Sequence, residues 1–184
     1  MRLFKIEEVI EIPSNVKVEV ENNKIKVRGP KGELERVIDY PNIKVLVENN
    51  KLRLVSYFAT RREKRILYTW ASHIENMIKG VTEGFVYKLK AVYVHFPFKM
   101  KVQGDTFIIE NFLGEKAPRK ITIPKGIKVR VDGDYVIVEG VDIEKVGNFA
   151  GILEQMTSIP GKDPRKFQDG LYIIEKPYTK YITE

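Results

Sequence analysis

The sequence predicts an α+β protein of two tandem duplicated domains, each a mostly antiparallel sheet packed against one helix. Two observations carry this expectation. A fourteen-residue pattern occurs four times, at Val16–Gly29, Ile43–Ser56, Phe98–Asn111 and Ile127–Gly140. Each copy is an alternating strand, a short polar turn (Asn-Asn-Lys or Gly-Asp) and a second alternating strand, which is the signature of a β-hairpin. The copies also align without gaps between halves. From Val16 to Phe98 the offset is 82, and from Ile43 to Ile127 it is 84. A duplication follows, with domains expected at 1–82 and 83–184.

The first half reads as a strand near Val9–Ile12, a hairpin, a return strand near Glu33–Ile38, a second hairpin and a helix. Thr60 and Glu63 form a capping box at the helix start. Ile66, Leu67, Trp70, Ala71, Ile74, Met77 and Ile78 then make one apolar stripe at helical spacing, and Gly80 is the expected stop. The second half repeats the plan. A strand from Phe85 to Val94 precedes the third hairpin. An irregular connector, Phe112–Lys120, leads to Ile121–Ile123 and the fourth hairpin. A helix capped by Asp142 turns Val146, Phe149, Ala150, Leu153 and Met156 inward.

Gly147 and Gly151 stand one turn apart in that helix, at about 1 kcal/mol each relative to alanine. Either close helix-on-sheet packing or the approach of a partner's backbone explains them. After Met156 nothing repeats: 157–169 reads as a loop, Leu171–Ile174 as a strand and Glu175–Glu184 as a polar, aromatic tail.

Composition narrows the class. The chain of 184 residues is 43% hydrophobic and has no cysteine, so disulfides, cysteine zinc sites and thiol chemistry are excluded. No apolar run is long enough to span a membrane, and the N-terminus shows no signal-peptide pattern; an intracellular protein is expected. The net charge is +7 with an isoelectric point near 9.4. It divides evenly, with 16 basic and 12 acidic residues in 1–84 and 16 and 13 in 85–184. A polyanionic partner fits this excess.

Catalysis finds no support. His73 and His95 lie in different halves, no serine–histidine–aspartate spacing is present, and the glycines match neither phosphate-binding fingerprint. No cofactor or metal is implied. Arg61, Arg62, Lys64 and Arg65 crowd the first turns of the first helix, as either a solvated face or a phosphate contact. Lys99 and Lys101, like Lys88 and Lys90, share the polar side of a strand. Two clusters sit on irregular backbone instead: Lys116, Arg119 and Lys120 in the connector, and Lys162, Arg165 and Lys166 in the unrepeated loop. Glycine and proline fix the shape of such loops, and bare amides there can also reach phosphates. Phe167 either anchors the second loop or stacks on a base. His95 and Lys99 complete the candidate RNA-contacting set.

Specific runs now carry a resemblance. Arg28-Gly29-Pro30-Lys31-Gly32-Glu33-Leu34, His95-Phe96-Pro97, Asn111–Arg119 and Gly161–Tyr172, in this order on a duplicated scaffold, resemble the large-subunit ribosomal protein family numbered six in bacteria and nine in eukaryotes, in its archaeal form. The resemblance covers essentially the whole chain. It implies a non-enzymatic, cytoplasmic component of the large ribosomal subunit that binds large-subunit rRNA, mainly through the second domain and C-terminal segment. It also implies a place near the factor-binding region and sarcin–ricin loop, with ribosomal-protein neighbours by the stalk base and translation factors as a further partner, without membrane or self-association. The competing readings are a free-standing RNA- or factor-binding protein on the same fold, and an RNA hydrolase.

Overall fold

A computed structural model describes residues 3–21, 23–48 and 50–180. The chain divides into two compact units, residues 1–84 and 85–184.

Unit 1 contains six strands and one helix: β1 (Leu3–Glu11), β2 (Lys17–Glu21), β3 (Lys24–Gly29), β4 (Gly32–Val37), β5 (Lys44–Glu48), β6 (Lys51–Ala59) and α1 (Arg61–Thr82). Unit 2 contains β7 (Phe85–Val92), β8 (Lys99–Gln103), β9 (Thr106–Glu110), a single 3₁₀ turn at Phe112–Gly114, β10 (Arg119–Thr122), β11 (Ile127–Asp132), β12 (Tyr135–Gly140), α2 (Ile143–Met156), β13 (Gly170–Lys176) and β14 (Thr179–Lys180). The four expected hairpins are β2–β3, β5–β6, β8–β9 and β11–β12, all antiparallel.

The duplication extends to strand order. In unit 1 the strands form two sheets, β5-β6-β1 and β2-β3-β4; unit 2 repeats these as β11-β12-β7 and β8-β9-β10. Each unit thus divides its strands between two sheets rather than one. The unrepeated segment adds β13 and β14 beyond β7, so the second unit's main sheet has five strands. This gives β7 a hydrogen-bonded neighbour on both sides. The expected tail is therefore partly strand; its residues 181–184 lie outside the described residues.

Alternation decides which side chains are buried. Ile25 and Val27 of β3, and Leu52 and Leu54 of β6, are buried with Leu67, Ile74 and Val81 of α1. In unit 2, Leu89, Phe107, Ile109, Val136, Val138, Phe149 and Leu153 form one cluster. Fully burying a side chain of this size contributes about 1.5–3 kcal/mol, so the two cores supply most of the stabilisation.

The first helix begins as expected. Glu63 accepts a hydrogen bond from the Thr60 amide and another from the Thr60 hydroxyl, while Thr60 Oγ1 accepts from the Arg62 amide. The Thr60 hydroxyl, the Glu63 and Thr60 amides and the Asn42 side chain hold the Glu63 carboxyl down at about 2, and the Tyr40 hydroxyl also donates to it. Its end differs from expectation. Gly80 is buried within the helix, which continues to Thr82. The stop is Gly84 at φ 75°, where both Glu83 and Gly84 amides reach back to the Lys79 carbonyl. Val81 explains the extra turn, because it packs against Gly29, where any Cβ would sit 2.6 Å from its side chain.

Candidate nucleic-acid interface

In unit 2, side-chain hydrogen bonds, together with the chain that runs between them, tie the two basic segments and the residues just after β7 into one ring. Asp169 is buried at the end of the unrepeated loop, and its Oδ1 accepts from the Val94 amide at 2.9 Å and the His95 amide at 3.0 Å. The His95 ring donates Nδ1–H to Oδ2 at 2.7 Å. Burial works against the charged carboxylate, but the His95 amide, the His95 ring and the Val94 amide outweigh it and hold Asp169 at about 2. The next link is Asn111, whose Nδ2 donates to the Pro97 carbonyl at 3.1 Å. The last is Arg119. Its Nε and Nη2 grip the Glu115 carboxylate, while Nη1 donates to the Met156 carbonyl at the end of α2.

The connector inside this ring is held in unusual backbone. Asn111 and Leu113 both occupy the left-handed region, at φ 61° and 49°. For a bulky residue such as Leu113 that conformation costs on the order of 1–3 kcal/mol. Phe112 is buried beneath it with the Arg119 guanidinium over its ring at 4.3 Å. Three groups of interactions thus maintain a shape that the local chain resists.

The eight candidate residues divide by what their side chains do. Lys116, Lys120 and Lys166 are exposed and form no ion pair with any described residue. Lys162 is exposed too, with its Nζ 5.2 Å from the Phe167 ring centre. Arg165 is tied to Asp163 by Nε and Nη2 at 3.1 and 3.0 Å, although it is largely solvated. Lys99 is exposed on β8, across from Glu110, which pairs with Lys101 instead. Arg119 is an organiser, since all its polar contacts fall within the protein. It also lies with Lys120 on β10 rather than in an irregular connector. His95 is held by Asp169 and stacks on Phe167, centroids 4.6 Å apart and planes 13° off parallel. Phe167 is therefore an anchor of the loop. Asp169, which the sequence marks only as part of the Gly161–Tyr172 run, is the residue that ties the unrepeated loop to Val94 and His95.

The two helix glycines also separate. A Cβ on Gly147 would lie 2.9 Å from the Tyr87 hydroxyl, whereas nothing stands within 4 Å of one on Gly151. Close packing explains the first and not the second. Among the described residues no group of three or more metal-binding side chains occurs, and no helix is long and apolar enough to cross a membrane.

A family model described as ribosomal protein L6 matches the chain twice, at residues 12–84 and 96–170. The chain belongs to the ribosomal protein L6 family. The paired matches follow the two structural units, so the L6 family fold is itself the duplicated element. A large ribosomal subunit protein uL6 of Nanoarchaeum equitans is 49% identical over 192 aligned positions, covering all of both chains. Those of Aeropyrum pernix and Methanobrevibacter smithii are 47% and 45% identical over 92% and 93% of this chain, and 93% and 96% of their own. These L6 relatives carry the names of ribosomal proteins, not of enzymes.

Proposed function

We propose that this chain is a cytoplasmic, non-catalytic component of the large ribosomal subunit, docking on large-subunit rRNA chiefly through the ring at the end of unit 2. One observation carries the reading: the lysines Lys116, Lys162 and Lys166, which form no ion pair with a described residue, ride on two loops, with Lys120 on the adjoining strand β10, in a frame held by Asp169, Asn111 and Arg119. Cations on a pre-shaped backbone meet phosphates without a further ordering cost, and they position a protein on RNA without reading its sequence. His95, Lys99 and Arg165 flank this surface. The resemblance implies a location near the factor-binding region and the sarcin–ricin loop, with ribosomal-protein neighbours at the stalk base and translation factors passing close by.

The test is a salt titration of binding to large-subunit rRNA. Replacing Lys116, Lys162 and Lys166 with glutamine should lower the log–log salt slope by roughly 2 to 3, at about 0.7–0.9 for each phosphate no longer neutralised. An unchanged slope in a folded variant sinks the assignment.

A further inference from the structure

Outside that ring, the strongest uncompensated charge is on α1. Arg61, Lys64, Arg65, Tyr68 and Thr69 follow i, i+3, i+4, i+7, i+8 spacing and line one open hollow of about 740 Å³. All five are exposed, and they face away from the stripe through Glu63, Leu67, Ala71 and Ile74 that is buried. None of Arg61, Arg62, Lys64 and Arg65 forms an ion pair with a described residue. The first turn's acidic residue, Glu63, is fully engaged in the cap and turned inward.

The arrangement works against the helix in two ways. Cations in the first turns oppose the helix dipole. Arg61–Lys64 and Arg61–Arg65 are like-charge neighbours at i, i+3 and i, i+4, which repel. A bound polyanion reverses both penalties. The lining also identifies which polyanion. It contains no aliphatic side chain, whereas the centres of protein–protein interfaces are depleted in lysine and rich in apolar contact. A surface of guanidinium, ammonium and one exposed tyrosine matches nucleic acid, where guanidinium forks grip phosphate and an aromatic ring can take a base.

We infer that the α1 face Arg61–Lys64–Arg65–Tyr68 is a second RNA-binding surface, in unit 1, that takes a phosphate backbone along about 12 Å of helix and is separate from the ring in unit 2.

The test uses the full chain carrying Arg61→Gln, Lys64→Gln and Arg65→Gln, with a large-subunit rRNA transcript as probe. The salt slope should fall by roughly 2, while the melting temperature stays level or rises because the opposing charges are gone. Weaker binding together with higher stability is a pattern that a purely structural role does not give. Combining these changes with the three lysine changes of unit 2 should subtract both slope increments. An unchanged slope for the α1 variant overturns the inference, whatever the unit 2 variant does. Should that variant bind the transcript normally yet fail to co-sediment with salt-washed large subunits, the face belongs to an acidic protein partner and the RNA assignment is wrong. A variant that loses its fold or melts lower also overturns it, because the cations are then structural.

Discussion

Replacing Asp169 with alanine tests whether its carboxylate holds the ring in unit 2 together. The change strips the acceptor from three donors at once: the amides of Val94 and His95 and the His95 ring. Breaking a buried, charge-assisted cluster of this kind costs about 3 kcal/mol at neutral pH. The pH dependence is more diagnostic. The Asp169 carboxyl sits at about 2 in the folded protein, against an ordinary value of 3.8. Between those values the unfolded chain binds more protons than the native one, so stability rises with pH there. The ionised carboxylate's contribution is complete above pH 4–5 and is lost as pH falls through 2. That gap is worth about 2 kcal/mol, with nearly half gone by pH 3. Denaturant unfolding of the native chain and the Asp169→Ala variant, followed by circular dichroism at pH 7 and pH 3, should show their difference shrinking by about 1 kcal/mol. Hydrogen exchange at pH 7 should show reduced protection at Val94 and His95. A difference that is equally large at pH 3 would refute the assignment of an ionised, hydrogen-bonded Asp169.

Other substitutions examine single links. Gly151→Ala should raise the stability of the isolated protein by about 0.5–1 kcal/mol, since helix propensity improves and no atom is met; Gly147→Ala should give no such gain, because its Cβ meets Tyr87. Calorimetry of both variants checks this, and equal effects would contradict the packing. Arg119→Ala should destabilise unit 2 by about 2 kcal/mol by freeing Glu115, Met156 and the Phe112 ring, measured by denaturant unfolding. Phe58 holds φ 51° with its ring largely exposed against Phe4. Phe58→Gly should therefore be neutral or stabilising by up to about 1 kcal/mol, and a large drop in melting temperature would show that the edge-to-face pair outweighs the strain.

The fold was largely legible because its signals are local. Alternation with Asn-Asn or Gly-Asp turns specifies hairpins over fourteen residues, and Thr60 with Glu63 specifies a helix start over four. What escaped was non-local. The extension of β1 back to Leu3 depends on pairing with β6, where Leu3 stands opposite Ala59. The burial of Gly80 depends on the sheet beneath α1, which overrides glycine's usual role as a stop. The ring depends on Asp169 meeting residues 74 and 75 positions earlier. Sequence composition picked out Arg119 as a cation, but only tertiary contacts show its charge neutralised by Glu115 within the protein.

The two units show how a duplicated scaffold acquires unlike surfaces. Both keep the strand order and a helix after the second hairpin, since the cores require them. In unit 1 the spare cations lie on the regular face of a 22-residue helix. In unit 2 the 14-residue helix carries Lys145 as its single cation and two glycines, and Lys116, Lys162 and Lys166 sit on loops instead. Loops bring an entropic cost that a helix face does not, so the loops of unit 2 need ties to hold their shape. Asp169 and Thr157 supply them: the Leu171 amide bonds to Thr157 Oγ1 at 2.9 Å, and Asp169 clamps Val94 and His95. Both ties lie in the segment that has no counterpart in unit 1. The added strand β13 is thus more than an extension of the sheet; it anchors the loop that carries Lys162 and Lys166. If so, weakening β13 by Leu171→Ala should release that loop and lower the rRNA salt slope although no cation has been removed. An unchanged slope in this variant, with weakened exchange protection in 161–170, would show that the lysines act without a fixed frame.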